Sequence, residues 1–212
     1  MPRPGQRLYI TADEYLKKEE ASSVRHEYID GQIFAMTGAT LRHSLIVGNI
    51  YSILRSFLKG GSCRVVTNDL KVRVEATNCF YYPDVVVSCG KQDFDSVLAE
   101  RPVLIVEVLS RSTSSIDRRE KLLAYRQIES VREYLIVHQR RRFARLFRKN
   151  DQGHWESFDY GQGAEMMLTS IPEAAAAHVE VDAIYEGTDV EERGCGSFEV
   201  REESFGDEDL DW

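Results

Sequence analysis

Two acidic residues interrupt stretches of the sequence that otherwise have the composition of buried β-strands. Asp84 directly precedes the valine run 85–87, and Glu107 lies inside the apolar run 103–109. A lone carboxylate between apolar strands costs free energy unless a cation, a hydrogen-bond partner or a change of protonation compensates its charge. Each of the two acids is therefore a candidate for a functional site.

The segment that follows the second apolar run predicts a helix. Ser110, Ser112 and Thr113 are hydroxyl residues that cap helices well, and the sequence to about residue 128 is rich in helix formers. At 3.6 residues per turn, Asp117 and Lys121 share one stripe with apolar residues near the end of this helix. The sequence thus predicts two acidic strands and a helix that brings a lysine toward them.

Lys121 has two interpretations at this point. Asp117 lies one helical turn earlier, at the i, i+4 spacing of a structural salt bridge. Alternatively, the amine reaches a phosphate held at Asp84 and Glu107, because the connection from the second acidic strand to the helix is short. The first interpretation makes the lysine part of the fold, and the second makes it part of the site.

These residues together resemble the Uma family (Uma-two) of restriction-endonuclease-like proteins, a branch of the PD-(D/E)XK nuclease superfamily. The resemblance spans roughly residues 8–187 and depends on HEYIDG at 26–31, Pro83-Asp84-Val85, VEVLS at 106–110, Asp117 with Lys121, and REYLIV at 132–137. It implies an α/β (α+β) fold with a restriction-endonuclease-like mixed central sheet flanked by helices. One position departs from the superfamily pattern, because Leu109 stands where a lysine is expected two residues after the acid.

The resemblance also implies a set of site residues. Asp84 and Glu107 would hold a Mg²⁺ or Mn²⁺ ion, and Lys121 would replace the missing strand lysine from the following helix. Glu27 is either an exposed strand residue or an acid that supports the metal site. With Asp117, these are the candidate catalytic residues.

Two functions from different classes are compatible with this set. The first is a Mg²⁺-dependent endonuclease acting on DNA, because carboxylates bind a hard cation that acidifies water and a lysine stabilises a phosphate. The second is a catalytically inactive nuclease-fold module that binds nucleic acid or a protein partner, which Leu109 favours. The joint presence of Asp84, Glu107, Asp117 and Lys121 favours the enzyme, which is our prediction.

Two further elements are predicted beside the candidate site. Asp30-Gly31 between two apolar runs predicts a tight β-hairpin that carries Glu27. Residues 40–59 predict an amphipathic helix whose apolar stripe begins with His43. His43 is interpreted either as a core histidine with satisfied hydrogen bonds or as a residue that the helix N-terminus directs at a cleft.

Several polar and aromatic residues also have two interpretations. Residues 65–74 alternate as one half-buried strand, whose polar face is solvated or places Lys71 against phosphate. The run 140–142 consists of three arginines that are either a solvated turn or a contact with the DNA backbone. Four aromatic residues either stack on nucleobases or pack in the core or a homodimer interface: Tyr81, Tyr82, Tyr134 and Trp155.

Length and charge predict one domain followed by an acidic tail. A chain of 212 residues with 42% hydrophobic content is typical of one soluble domain, which we place at residues 1–187. Residues 188–212 hold ten acids and two bases, so they carry the whole net charge of −8. We expect this tail to be disordered. The acidic balance is therefore no argument against DNA as a partner.

The sequence argues against several other classes of protein. No apolar stretch approaches the roughly 20 residues that span a bilayer, and the first residues lack the apolar core of a signal peptide. We therefore expect a cytoplasmic protein with no membrane partner. The four cysteines form no C-x-x-C pair, and we expect reduced thiols: Cys63, Cys79, Cys89 and Cys195. Glycine-rich phosphate loops and a G-x-S-x-G elbow are absent, which argues against nucleotide-binding and serine-hydrolase chemistry.

Overall fold

The computed structural model describes residues 9–109, 115–171, 177–191 and 202–204, with the backbone alone at 115–118 and 202–204. In chain order the elements are α1 (Ala12–Glu20), β1 (His26–Ile29), β2 (Gln32–Ala35), α2 (Leu41–Phe57), β3 (Arg64–Thr67), β4 (Val72–Val74), β5 (Cys79–Tyr81), β6 (Val85–Ser88), β7 (Pro102–Leu109), α3 (Ser115–Tyr125), β8 (Glu133–His138), β9 (Phe143–Lys149), β10 (Trp155–Gly161), β11 (Glu165–Leu168), β12 (Ala177–Glu180), α4 (Val181–Ile184) and β13 (Glu202–Ser204).

A seven-stranded mixed sheet forms the centre of the fold, with strand order β13-β10-β9-β8-β7-β6-β3. β7 and β8 run parallel, and the other neighbours run antiparallel. α3 is the crossover between the two parallel strands, as parallel pairing requires. A second sheet has the order β2-β1-β5-β4, and β11 pairs with β12. The predicted mixed central sheet flanked by helices is confirmed.

Both faces of the central sheet are covered by apolar side chains. On one face, Ile50 and Leu54 of α2 belong to the same core as Val106 of β7. On the other face, Leu122 of α3 and residues of the second sheet belong to a core with Ile105. Because successive residues of a strand face opposite sides, the central strands are apolar at nearly every position. A polar side chain in these strands therefore lies inside a core.

The predicted hairpin at Asp30-Gly31 is confirmed. Both residues have positive φ, 38° and 90°, as a two-residue turn with matching twist requires. A Cβ atom at position 31 would collide with the ring of Tyr9. The turn fixes the register of β1 and β2, which places Glu27 opposite Phe34.

The predicted continuous strand at 65–74 is wrong, because the chain turns between β3 and β4. Asn68 has a φ of 46°, and the two strands belong to different sheets. Lys71 lies at this turn and is 7% exposed, with its amine 3.3 Å from the hydroxyl of Tyr82. Burial lowers the pKa of the Lys71 amine. The predicted solvated face at Lys71 is therefore also wrong.

The predicted aromatic residues lie in the core. Tyr81, Tyr82 and Tyr134 are buried, and Trp155 packs against the core between α3 and the central sheet. Of their two interpretations, core packing is therefore confirmed over stacking on nucleobases.

Part of the predicted tail packs against the domain. Val190 is buried, and Asp189 forms an ion pair of 2.6 Å with Arg42. Glu202–Ser204 form β13, which pairs with β10. The predicted disorder of the tail stays a prediction, and residues 192–201 and 205–212 lie outside the described residues.

Cys63 and Cys89 form a disulfide, so the prediction of reduced thiols is wrong for this pair. β3 and β6 are antiparallel neighbours with Arg64 opposite Ser88. Cys63, which precedes Arg64, therefore lies opposite Cys89, which follows Ser88. Spacing along the chain does not show this pairing. Cys79 is a buried free thiol, and Cys195 lies outside the described residues. Among the described helices, none has the length and apolarity needed to cross a membrane.

We expect reduction of this disulfide to destabilise the domain. The bond joins residues 26 positions apart, and closing a loop of that size contributes about 3 kcal/mol. Thermal unfolding should therefore occur at a lower temperature in dithiothreitol for the wild type but not for a Cys63→Ser/Cys89→Ser variant. Cys79→Ser is the control and should keep the sensitivity. A wild-type protein that unfolds at the same temperature with and without dithiothreitol would contradict the prediction.

Candidate active site

Asp84 and Glu107 lie side by side at the ends of neighbouring strands. β6 and β7 are antiparallel with Val85 opposite Val106, so one further step along this register places the two acids opposite each other. Side chains directly opposite in such a pair have Cβ atoms about 5 Å apart. The structure thus brings together the two acids that interrupt the apolar runs of the sequence.

Both carboxylate oxygens of Asp84 have partners. Oδ1 lies 2.9 Å from Nε2 of His43, and Oδ2 accepts a hydrogen bond of 2.7 Å from the backbone N–H of Val108. Asp84 is 9% exposed and His43 is 8% exposed. The first turn of α2 therefore directs the histidine at the site, which favours the second interpretation of His43.

Glu107 is the most perturbed acid of the site. The hydroxyl of Tyr125 donates to its Oε1 at 3.0 Å, and the amine of Lys121 lies 3.5 Å from the same oxygen. Burial raises the pKa of Glu107 to about 8, and the charges of Asp84 and Glu27 add to a rise that Lys121 opposes. Loss of hydration outweighs the nearby ammonium. Burial therefore favours the protonated form of Glu107 when no other cation is near.

Lys121 connects α3 to the hairpin. Its amine donates to Oε1 of Glu27 at 2.7 Å and lies 5.5 Å from the centroid of the Tyr81 ring. The side chains of Lys121 and Glu27 are only 12% and 13% exposed. Glu27 is therefore not the exposed strand residue of one interpretation; it belongs to the acidic cluster.

Lys121 faces acids that come from other elements. Glu27 lies on β1 and Glu107 on β7, so the contacts join three parts of the fold. The side chain of Asp117 lies outside the described residues, and its predicted role stays a prediction. The contacts of the amine favour the interpretation in which Lys121 belongs to the site. Leu109, at the expected lysine position, is buried in the core beneath α3.

One contact of the site was not predicted from the sequence, and the role of His43 was left between two interpretations. Tyr125 follows Lys121 at the i, i+4 spacing that places two side chains over the same surface, and this spacing is the signal for its contact with Glu107. The contact of His43 with Asp84 has no comparable signal, because 41 residues separate the pair.

The oxygen atoms of Asp84 and Glu107 are the candidate ligands for a cation. Within the described ranges, no group of three or more His, Cys, Asp or Glu side chains is arranged to hold a metal ion. Mg²⁺ commonly uses only one or two carboxylates and completes its shell with water and substrate phosphate. The charge of Asp84 also raises the pKa of Glu107, and a divalent cation relieves such repulsion. The donor set therefore fits a hard divalent cation.

Known proteins resemble this chain over most of its length. An uncharacterized protein of Synechocystis sp., slr1290, is 36% identical over 179 residues, which cover 84% of this chain and 92% of that protein. A second uncharacterized Synechocystis protein, sll1609, is 30% identical over 133 residues, covering 61% of this chain and 75% of that protein.

A solved structure has the same fold. The crystal structure of a protein described as "a putative nuclease", from Anabaena variabilis ATCC 29413, matches with a TM-score of 0.67 and 21% identity. The match covers 83% of this chain and 97% of that chain. It confirms the predicted restriction-endonuclease-like fold. Residues 12–180 match the family model Uma2, described as "Putative restriction endonuclease", and the chain therefore belongs to the Uma2 family.

Proposed function

We propose that the protein is a Mg²⁺- or Mn²⁺-dependent endonuclease that hydrolyses phosphodiester bonds in DNA. The observation that carries the proposal is the largely buried cluster in which Glu27 and Glu107 contact the amine of Lys121 and Asp84 lies beside Glu107. Once Glu107 loses its proton, the cluster holds three carboxylates and one ammonium, and a hard cation compensates the excess of negative charge. The family and the fold of the Anabaena protein support the same function.

The acids are held in place by hydrogen-bond partners. Asp84 is oriented by His43 and by the backbone of Val108, and Glu107 by the hydroxyl of Tyr125. These two carboxylates would hold a divalent cation, which would supply charge neutralisation and lower the pKa of a water molecule. The protein's own contribution is to fix the ligands before substrate arrives.

Lys121 is proposed to act on the phosphate. A positioned ammonium stabilises negative charge that develops on phosphate oxygens during cleavage. Glu27 accepts from the amine at 2.7 Å and so fixes its position beside Glu107. In the PD-(D/E)XK pattern this lysine would stand at Leu109. We propose that Lys121 performs its role from α3.

Three predictions about the surroundings of the site stay predictions. Arg140 and Arg141 are exposed in the turn before β9, where contact with the DNA backbone is proposed, whereas Arg142 forms an ion pair of 3.0 Å with Asp182. A homodimer and a cytoplasmic location are the other two.

We expect Asp84→Asn and Glu107→Gln each to abolish binding of Mg²⁺ and Mn²⁺ and cleavage of plasmid DNA, because each removes an anionic ligand. Titration calorimetry measures the binding, circular dichroism checks the fold, and EDTA should stop the wild type. Glu133→Gln is the matched control, because Glu133 is buried in the same sheet but binds Arg148. Unchanged metal binding in both site variants would leave an inactive nuclease-fold module as the better account.

We expect Lys121→Ala to lower the cleavage rate by roughly 10²- to 10³-fold, the usual effect of removing one group that stabilises transition-state charge. Metal affinity should stay near that of the wild type, because Lys121 is not a ligand. Lys18→Ala, an exposed lysine of α1, is the control for general loss of positive charge. Full activity in a folded Lys121→Ala protein would contradict the proposed role.

We expect the metal-free protein to lose stability as the pH rises. The pKa of Glu107 is raised from 4.5 to about 8, so the folded state binds more protons than the unfolded state between these values. The stabilisation that protonation of Glu107 gives the folded state is complete below pH 4.5 and is lost as the pH rises through 8. Glu107→Gln should remove this loss, which amounts to roughly 3 to 4 kcal/mol between urea unfolding at pH 5 and at pH 8. The same pH dependence of the unfolding free energy in the wild type and in Glu107→Gln would contradict the prediction. Glu133→Gln is the control.

A further inference from the structure

We infer that Phe34 stacks on an unpaired nucleobase of the substrate beside the candidate active site. The inference rests on the proposed function and adds the form of the DNA, which is single-stranded or locally unpaired. It is carried by the position of the ring relative to Glu27 and Lys121.

Phe34 lies on the same face of the second sheet as the active-site residues. Glu27 is opposite Phe34 in the pairing of β1 with β2. Tyr28 is opposite Phe80 in the pairing of β1 with β5, so one step along this register places Tyr81 opposite Glu27. Directly opposite residues point to the same face. Phe34, Glu27 and Tyr81 therefore form one row across the sheet.

Lys121 contacts this row at two members. Its amine bonds the carboxylate of Glu27 at 2.7 Å and lies 5.5 Å from the centre of the Tyr81 ring. Cβ atoms of opposite residues are about 5 Å apart, so the ring of Phe34 begins one side chain away from this ion pair. A nucleotide whose phosphate contacts Lys121 therefore has its base within reach of Phe34.

Exposure distinguishes Phe34 from the rest of the row. Tyr81 is 0% exposed and the side chain of Glu27 is 13% exposed, whereas Phe34 is 47% exposed. β2 is an edge strand of its sheet, and within the described part of the chain no strand pairs with its outer edge. The row thus runs from a buried tyrosine, through the acid that holds the lysine, to an aromatic ring open to solvent.

The accessibility of base faces determines which form of DNA the ring of Phe34 favours. Bases within a duplex present their edges in the grooves, while their faces are covered by neighbouring base pairs. An aromatic side chain reaches a base face without the cost of unstacking a duplex where that base is unpaired, and it does so without reading sequence. The ring of Phe34 therefore favours single-stranded or locally unpaired DNA of any sequence over continuous duplex.

The test measures steady-state cleavage of a single-stranded oligonucleotide and of the duplex of the same sequence, in Mg²⁺. Binding to both is measured by fluorescence anisotropy in EDTA. Phe34→Ala and Phe34→Leu remove the ring, and Phe34→Trp keeps an aromatic face. Phe57→Ala is the matched control, because Phe57 is 36% exposed and lies about 21 Å from His43 along α2. Thermal unfolding of every variant reports whether the hairpin is intact.

Phe34→Ala and Phe34→Leu are expected to raise KM and Kd for the single strand roughly tenfold, with kcat little changed. Phe34→Trp should restore both constants, and Phe57→Ala should behave as wild type. The inference is overturned if both ring-less variants match the wild type on the single strand. It is also overturned if they affect the duplex alone, which would indicate a wedge between paired bases. A wild type that neither binds nor cleaves DNA overturns the proposed function as well.

Discussion

The pairing of Glu107 with Asp84 in adjacent core strands is the constraint on which the site depends. Glu107 lies within β7, and burial raises its pKa to about 8. A carboxyl group in that position costs stability unless its environment compensates it. Lys121 and Tyr125 reach it from α3, while His43 and the backbone of Val108 hold the neighbouring acid. The contacts that reduce the free-energy cost of burying the two acids also orient their carboxyl groups.

The acidic cluster connects elements that are distant in the chain. Glu27 on the hairpin bonds Lys121 on α3, 94 residues away, and His43 on α2 bonds Asp84, 41 residues away. The second sheet is thereby tied to the central sheet through polar contacts as well as through their shared apolar core. Substitution of Glu27 or Lys121 therefore removes a chemical group and a polar contact between the two sheets, while their shared apolar core remains.

Local pattern predicted the elements of the site, but register decided its contacts. Valine runs, the Asp30-Gly31 turn and the helical stripe of Lys121 are signals that a few neighbouring residues carry. The disulfide of Cys63 and Cys89 depends on the pairing of β3 with β6, which no local pattern specifies. Burial of Lys71 likewise follows from a turn at Asn68 that alternation of polar and apolar residues conceals.

The position of Lys121 on α3 accounts for the presence of an acid, Glu27, on the hairpin. A lysine at position 109 would extend from β7 on the same side as Glu107, held by the sheet itself. Here Leu109 completes the core beneath α3, and the amine comes from Lys121 on a long, flexible side chain. Such a side chain needs an anchor to hold its charge beside an acid. Glu27 provides it at 2.7 Å, so the hairpin acid and the helical lysine form one unit of the candidate site.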